Sequence, residues 1–245
     1  VWLNPPPAAG GVMIALALAA LDEAEMRDCP AGAMAAALAV ADDARRAAGH
    51  DPQALLARLG PPAHRGTTHI SVIDGDGMAC ALTITNGEGN GHVVEGCGFM
   101  LNNMLGEADV NPDGLEGWPE DVRLSSMMAP TLAGAEDGTL VALGSGGSNR
   151  IRSAVFMVLA RLLAAGRELA AAIDAPRLHV EADFLDFEPG FAAQEVARLT
   201  AMFPRHRAWS APNLYFGGCH AVARKADGAL VAAADKRREG AESVI

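Results

Sequence analysis

The chain has 245 residues, of which 50% are hydrophobic and 4% aromatic, and its formal net charge is −11. This length is sufficient for one large domain or two small ones, with a sizeable core built mainly from alanine and leucine. The negative charge argues against a nucleic-acid partner, because no basic surface is available to neutralise phosphates.

The first 60 residues are rich in helix-forming residues and are predicted to be helical. We predict one helix over residues 8–25, a second over 30–49 and a third over 51–60. The apolar run GGVMIALALAAL lies within the first of these. It is too short to span a bilayer and has no basic flank, so it is predicted to be a core helix rather than a membrane span or a signal peptide.

The pattern changes at Thr67. Short runs rich in β-branched residues at 67–74 and 78–85 flank the turn sequence GDG and predict a hairpin. Residues 91–101 are predicted to form a further short strand or a loop. The polar stretch 105–126 is predicted to be a long loop, and loops of that length are usually functional or disordered.

The remainder of the chain combines hairpins and helices. A second hairpin is predicted over residues 129–145, turning at Asp137-Gly138, and a closing hairpin over 218–235, turning at Asp227-Gly228. Between them we predict one strand and three helices: the strand 183–189, an amphipathic helix over 148–166 with Ser148 or Asn149 as its cap and Gly166 as its stop, and helices over 167–174 and 191–203. Grouped strands with grouped helices indicate an α+β fold.

The four cysteines do not have the spacing of a zinc site or of a dense disulfide framework. We therefore predict that Cys29, Cys80, Cys97 and Cys219 are buried free thiols. No metal site and no cofactor are predicted.

The stretch RGTTHISVIDGDG places two threonines at the start of a predicted strand. A threonine hydroxyl is a weak nucleophile unless a base removes its proton, and one solution is to make the threonine the first residue of a chain, so that its own α-amine is the base. The pKa of a free α-amine is about 8, so the amine is partly neutral at working pH. For this stretch alone, the β propensity of threonine is the better explanation.

The stretch LGSGGSNRIRSAVF leads a glycine-rich loop into a helix. The backbone N–H groups of such a loop can bind an anion, either a phosphate or the oxyanion that develops during acyl transfer. The Walker spacing and its lysine are absent, which makes phosphate the weaker candidate. A glycine turn that serves only tight packing explains this stretch equally well.

The order of these motifs along the chain carries more information than any one of them. TTH before GDG is followed by T-x-T-N, LNN, LSSM, GSGGSNRI, DAPRLH and EPGF. This order resembles the γ-glutamyltranspeptidase family of N-terminal-nucleophile hydrolases. The resemblance implies a four-layer αββα sandwich, incomplete in this chain, with residues 1–66 as the helical end of the large subunit and residues 67–245 as the catalytic small subunit.

The resemblance also implies a set of catalytic residues. The precursor would cut itself between Gly66 and Thr67, after which Thr67 would act as both nucleophile and base. Thr85 matches a threonine whose hydroxyl orients the nucleophile. Gly146 and Gly147 match the paired glycines of the oxyanion hole, although a missing proline allows the pair to shift by one position.

Further residues match the substrate-binding positions of the family: Asn86, Glu107, Ser125 and Ser126. Met104 stands where the family commonly has Gln or Glu, and a methionine cannot accept a strong hydrogen bond from an ammonium group. Asp174 and Arg177 are interpreted as a helix end and its ion pair, and His69 as a packed strand histidine.

Three functions remain open at this point. The first is a γ-glutamyl transferase or hydrolase acting on amides such as glutathione, the second is an acylase acting on a non-glutamyl amide, and the third is an inactive scaffold. The expected partners are a small γ-glutamyl or related acyl-amide substrate and the remainder of the large subunit, with no nucleic acid and no membrane. An oligomer is left open, and so is the compartment, although the family is often periplasmic or secreted.

Overall fold

The computed structural model describes residues 1–5, 8–47, 67–107, 117, 120–121 and 123–245. Its helices and strands are α1 (Ala9–Ala19), α2 (Glu23–Asp28), α3 (Ala31–Ala47), β1 (Thr67–Ile73), β2 (Ala79–Thr85), β3 (Thr131–Gly134), β4 (Leu140–Gly146), α4 (Arg150–Leu163), α5 (Leu169–Asp174), β5 (Leu178–Glu181), β6 (Phe184–Phe187), α6 (Ala193–Met202), β7 (His206–Ala208), β8 (Gly218–Arg224) and β9 (Leu230–Ala233). The α+β class predicted from the sequence is confirmed. The predicted boundary at residue 66 lies at the edge of the described residues and stays a prediction.

A four-stranded antiparallel sheet with the order β3-β4-β8-β9 lies at the centre of the fold. Strands β4 and β8 pair from Leu140 opposite Arg224 to Gly146 opposite Gly218. The β1–β2 ribbon contacts β4 and β8, and α4 also packs against them, with α1 beside it. Helices, a sheet and a second β layer correspond to three of the four successive layers of an αββα sandwich.

Helix α4 is more deeply buried than its predicted amphipathic pattern indicates. Every residue from Arg150 to Arg161 is buried, which is the situation of a helix covered on all sides. Its arginine side chains are therefore inside the protein, where Arg152 forms an ion pair with Asp42 of α3 at 3.0 Å. This pairing compensates part of the cost of burying the charge.

The β1–β2 ribbon has a polar inner face and an apolar outer face. Thr67, His69 and Ser71 alternate with outward-facing residues, as the period of two along a strand requires. The outer face carries four aliphatic side chains whose exposed fractions lie between 48% and 54%: Ile70, Val72, Leu82 and Ile84. Among the described residues, no element covers this outer face enough to bury those side chains.

The three predicted hairpins are confirmed, and their turns lie where the glycines predict them. The single helix predicted over residues 8–25 is wrong, because the chain forms α1 and then α2. The carboxylate of Asp22 accepts a hydrogen bond from the Glu25 amide at 2.8 Å, and the Glu25 carboxylate accepts one from the Asp22 amide. This capping box starts a new helix where the sequence suggested continuity. The helix predicted over 51–60 lies outside the described residues.

A small sheet formed by β5, β6 and β7 was only partly predicted. The strand predicted over 183–189 is confirmed as β6, whereas β5 and β7 were missed. Strand β5 has only four residues, and although its sequence LHVE alternates apolar and polar residues, all four are buried. Strand β7 has only three residues and runs parallel to β6.

Other local predictions need correction. Asn149 is the N-cap residue of α4, but its side chain makes no cap hydrogen bond and instead donates to Glu181 at 2.6 Å. Helix α4 ends at Leu163, three residues before the predicted stop at Gly166. Only two of the four free cysteines are buried, because Cys80 and Cys97 are exposed while Cys29 and Cys219 are not. Across the described ranges, no helix is long and apolar enough to cross a membrane.

Candidate active site

Thr67 and Thr85 lie directly opposite each other at the open end of the β1–β2 ribbon. Their hydroxyl oxygens are 2.9 Å apart, within hydrogen-bonding distance. The Thr85 hydroxyl also accepts a hydrogen bond from the backbone N–H of Gly87 at 2.9 Å. The Gly87 N–H occupies one of the two acceptor positions of the Thr85 oxygen, so the Thr85 hydroxyl can donate its proton to Thr67 or accept the Thr67 proton at the second position.

His69 is the next inward-facing residue of β1, and it is packed rather than poised for catalysis. Its Nδ1 lies 2.8 Å from the Thr83 hydroxyl, and its Nε2 lies 2.8 Å from the Ser71 hydroxyl. Burial, with a smaller effect from His220, lowers the pKa of His69 from 6.5 to about 4. The ring is therefore neutral near pH 7, both of its nitrogens are occupied, and the predicted role as a packed strand histidine is confirmed.

The glycine pair lies against the nucleophile candidate. A Cβ atom added to Gly146 would lie 2.7 Å from the backbone oxygen of Thr67, so only glycine allows this approach. Gly147 has a φ of +134°, and a Cβ added to it would lie 2.8 Å from the Cα of Gly217. Gly146 at the end of β4 and Gly147 directly after it therefore lack the side chains that would prevent close contact with β1 and with the segment before β8.

Arg177 and Asp235 fix the segment that packs against the glycine pair. The Arg177 guanidinium forms a buried ion pair with Asp235 and donates to the backbone oxygens of Phe216 and Gly217, each at 3.3 Å. Asp235 in turn accepts a hydrogen bond from the backbone N–H of Cys219 at 3.0 Å. Burial alone would raise the pKa of Asp235, but nearby guanidinium groups outweigh this effect and lower it. The carboxylate is therefore charged and paired.

Of the two predictions made for Asp174 and Arg177, one is confirmed and one is wrong. Asp174 does end α5, but the ion pair predicted between Asp174 and Arg177 is wrong, since the partner of Arg177 is Asp235. The two are separated by 58 residues, and the sequence contains no signal that joins them. Asp174 was predicted to be the partner of Arg177 because it is close in sequence. In the folded protein, tertiary packing instead brings Asp235, which follows β9, next to Arg177.

Arg238, like Asp235, lies near the glycine pair and was not predicted from the sequence. A Cβ atom added to Gly146 would lie 3.3 Å from Nη1 of Arg238, and one added to Gly147 would lie 3.8 Å from Nη2. The stem of the side chain packs on Gly218 of β8, where an added Cβ would meet it at 2.7 Å. A permanent positive charge therefore lies beside the glycine pair.

Glu107 lies close to the turn that follows Thr85. A Cβ atom added to Gly87 would lie 2.3 Å from a Glu107 carboxylate oxygen and 2.2 Å from the amide oxygen of Asn103. Asn86 is exposed, and its backbone oxygen accepts hydrogen bonds from Gly89 at 2.9 Å and from Asn103 at 3.2 Å. The structure therefore brings Asn86 and Glu107 to the Thr85 end of the ribbon.

Ser125 and Ser126 are half-buried on an extended segment before β3. The Ser126 hydroxyl accepts a hydrogen bond from the Met128 amide at 3.1 Å, and the Ser126 backbone oxygen accepts one from Gly10 of α1 at 3.2 Å. In the part of the chain that the structure describes, no hydrogen bond joins either serine to Thr67. Gly66, the other half of the predicted cleavage bond, lies outside the described residues.

A metal centre is not apparent in this region. No group of three or more His, Cys, Asp or Glu side chains within the described residues is arranged to hold a metal ion.

Stacked β layers, with a threonine at the start of a strand opposite a second hydroxyl and against a glycine pair, are the arrangement expected of an N-terminal-nucleophile hydrolase. A family model described as gamma-glutamyltranspeptidase matches residues 39–245. The chain therefore belongs to the gamma-glutamyltranspeptidase family.

Individual relatives agree with this assignment. The chain is 30% identical over 194 residues to the glutathione hydrolase proenzyme of Escherichia coli, a match that covers 74% of this chain and 33% of that protein. It is 30% identical over 181 residues to the Acylase ACY 1 proenzyme of Pseudomonas sp. (strain SE83), covering 73% and 32% of the two. The chain spans about a third of the length of these curated relatives.

The solved structure of gamma-glutamyltranspeptidase from Pseudomonas nitroreducens complexed with L-DON has the same fold. The match has a TM-score of 0.62 at 26% identity and covers 73% of this chain and 99% of that chain. The αββα prediction is therefore confirmed as the fold of this family.

Proposed function

We propose that this chain is the catalytic part of a self-processing amidohydrolase of the gamma-glutamyl transferase or glutathione hydrolase type, with Thr67 as its nucleophile. The observation that supports this most directly is the 2.9 Å contact between the Thr67 and Thr85 hydroxyls beside Gly146. The proenzyme names of the relatives agree with self-processing.

Processing would begin with the bond between Gly66 and Thr67. The Thr67 hydroxyl attacks the Gly66 carbonyl carbon, the C–N bond breaks as the nitrogen takes up a proton, and water then hydrolyses the resulting ester. The products are a new carboxylate at Gly66 and a free α-amine at Thr67. That amine, with a reference pKa of about 8, is the base that the uncut chain lacks.

Catalysis after cleavage would use three groups. The Thr67 amine takes the proton of the Thr67 hydroxyl, whose oxygen attacks the substrate amide, while the Thr85 hydroxyl donates to that oxygen and fixes its direction. The backbone N–H groups of Gly146 and Gly147 stabilise the oxyanion. The amine product leaves with the proton, and water or an acceptor amine removes the acyl group from Thr67.

The acyl donor is proposed to be a γ-glutamyl amide. Asn86 and Glu107, at the Thr85 end of the ribbon, are proposed to hold the amino-acid end of the donor, and Ser125 and Ser126 its carboxylate. The alternative is an acylase for non-glutamyl amides. It is favoured by Met104, whose thioether is a poor acceptor for an ammonium group, and by the likeness to a protein named as an acylase.

The proposed macromolecular partner is the remainder of the large subunit. The outer face of the ribbon presents Ile70, Val72, Leu82 and Ile84 half-exposed. Fully burying an exposed aliphatic side chain is worth about 1.5–3 kcal/mol, so covering each of these half-exposed side chains would contribute about half of that to assembly. The fourth layer of an αββα sandwich lies on this side. A chain that lacks this fourth layer would correspond to the third function considered, an inactive scaffold.

Intact mass and N-terminal sequencing of the purified protein test the nucleophile. We expect a new N-terminus at Thr67, which Thr67→Ala abolishes together with activity, whereas Thr67→Ser retains slow cleavage because it keeps a hydroxyl. Thr68→Ala is the matched control, since Thr68 is exposed on the opposite face of the same strand. Normal cleavage in Thr67→Ala would reject the proposal.

Substrate class is tested separately with γ-glutamyl-p-nitroanilide and glutaryl-p-nitroanilide, which differ only by the α-amine. A higher kcat/KM for the γ-glutamyl compound supports the transferase or hydrolase. Preference for the glutaryl compound supports the acylase and rejects the glutamyl assignment. Met104→Gln is expected to shift this ratio toward the γ-glutamyl compound.

A further inference from the structure

A cavity of about 320 Å³ lies away from Thr67, where the start of α3, the C-terminal half of α4 and the start of α6 meet. Its lining residues include Cys29, Arg161, Arg167, Pro176, Phe191 and Glu195. None of the residues that line it belongs to the candidate active site. The cavity thus needs an explanation of its own.

Arg161 is the most unusual residue of this cavity. Its exposed fraction is 3%, and its Nη2 donates to the backbone oxygen of Pro176 at 2.6 Å. Its Nη1 is buried and makes no hydrogen bond to any residue that the structure describes. A buried polar group without a partner costs about 1–3 kcal/mol, and more when it is charged.

Arg161 also differs from other buried arginines of the chain. Arg152 pairs with Asp42, Arg177 with Asp235, and Arg237 with Glu188. Within the described residues Arg161 forms no such ion pair. Burial, reinforced by the neighbouring Arg177 and Arg167, lowers the pKa of Arg161 to about 9. A missing negative charge next to Arg161 would account for this imbalance.

Two further features of the cavity favour an anion. Arg167 lines it with a second positive charge. Helix α6 begins at its wall with Ala192 as N-cap, and no side chain caps the helix, so its first N–H groups carry the positive end of the helix dipole.

The acidic residues at the cavity do not replace the missing anion. Glu195 accepts a hydrogen bond from the Ala31 amide at 2.6 Å and thereby caps the start of α3, and its other oxygen lies 3.4 Å from Arg198. Asp28 is exposed at the rim. Neither residue forms an ion pair with Arg161 in the described structure.

We propose that this cavity is a binding site for a small oxyanion, held by Nη1 of Arg161, by Arg167 and by the N-terminal N–H groups of α6. Phosphate and a small carboxylate share the required chemistry, because both present oxygen acceptors to a guanidinium fork. The volume of about 320 Å³ is at the lower end of the range of small-molecule pockets, about 300–1,000 Å³, and is sufficient for a small oxyanion. The proposal does not depend on the identity of the nucleophile.

Isothermal titration calorimetry of the purified protein with inorganic phosphate, and separately with succinate, tests the site at constant ionic strength. Direct binding is measured because phosphate stabilises folded proteins without binding a specific site. We expect saturable 1:1 binding of at least one anion, and the anion that binds identifies the source. Arg161→Met should weaken binding at least tenfold, whereas Arg205→Met, an exposed control, should leave it unchanged.

Two further variants keep the test decisive if Arg161→Met fails to fold. Arg167 is exposed, so Arg167→Met should fold and weaken binding severalfold. Glu195→Gln keeps an acceptor for the Ala31 amide but removes a negative charge, and should tighten binding. Absence of saturable binding of both anions, or equal binding by wild type, Arg161→Met and Arg167→Met, would overturn the proposal.

Discussion

Acidification should destabilise the fold through His69, the histidine that follows the nucleophile candidate on the inner face of the ribbon. The pKa of His69 is 6.5 in an unfolded chain and about 4 in the folded protein, chiefly because the ring is buried. Between these values the unfolded chain binds a proton that the folded protein does not. The free energy of unfolding therefore rises with pH across this window and is lost as the pH falls from about 6.5 to about 4.

The size of this effect follows from the difference in pKa. A difference of about 2.5 units, at about 1.4 kcal/mol per unit, corresponds to about 3 kcal/mol of stability that His69 removes on acidification. The ring is almost wholly buried, so solvent screening does not reduce this figure much. Three kcal/mol is a large part of the stability of an ordinary domain.

Urea denaturation at several pH values between 7.5 and 4 measures this effect. His69→Gln lowers stability at every pH because it removes hydrogen bonds, but it should flatten the pH dependence by about 3 kcal/mol relative to wild type. His179 remains in both proteins and cancels in the comparison, whereas His220, which makes the smaller contribution to the pKa of His69, accounts for a minor part of the difference. His92→Gln, at an exposed loop position, is the control. Equal slopes for wild type and His69→Gln would refute the buried, neutral histidine.

Three other substitutions test the site. Gly146→Ala places a Cβ 2.7 Å from the Thr67 backbone oxygen, and the overpacking should cost about 1–3 kcal/mol in urea denaturation and slow cleavage at Thr67. Thr85→Val keeps the shape but loses the hydroxyl, and should lower kcat/KM about tenfold, as expected for a lost hydrogen bond of about 1.4 kcal/mol. Asp235→Asn leaves the Arg177 charge buried without its partner and should cost about 3–5 kcal/mol, measured by the same denaturation.

For each of these three substitutions, a specific result would contradict the expectation. Full cleavage and unchanged stability in Gly146→Ala would mean that the β1 and β4 backbones are not in contact. An unchanged kcat/KM in Thr85→Val would remove Thr85 from catalysis. For the buried pair, the double variant Asp235→Asn with Arg177→Met is the control, because it removes the unpaired charge; a double variant no more stable than Asp235→Asn would contradict the argument.

The hairpins and the opposition of the two threonines were predictable because their signals are local. A hairpin centred on the GDG turn places Thr67 opposite Thr85. The break between α1 and α2 was missed although its capping box is also local, because helix-forming residues continue through it. Asp22 with Glu25 three residues later was the available signal.

The contacts that complete the site were not predictable, since they join distant segments. Gly146 meets Thr67 only because the ribbon packs on β4, and Arg177 meets Asp235 only because α5 and β9 come together. The four-residue strand β5 buries His179 and Glu181 as well as its apolar residues, and nothing in the local sequence indicates that burial. In each case the contact or the burial results from tertiary packing, and the local sequence does not indicate it.

The β1–β2 ribbon turns its polar face toward the sheet and leaves its apolar face half-exposed. Alternation along β1 and β2 predicts one buried and one exposed face, and the usual rule would bury Ile70, Val72, Leu82 and Ile84. The structure instead turns Thr67 and His69 inward, where Thr67 bonds Thr85 and His69 bonds Thr83. A strand that turns its polar face toward a sheet and leaves its apolar face half-exposed departs from the rule that normally stabilises it. Such departures are expected where function requires them: under the proposed function, the inner face directs the nucleophile candidate toward the glycine pair, and the outer face contacts the remainder of the large subunit.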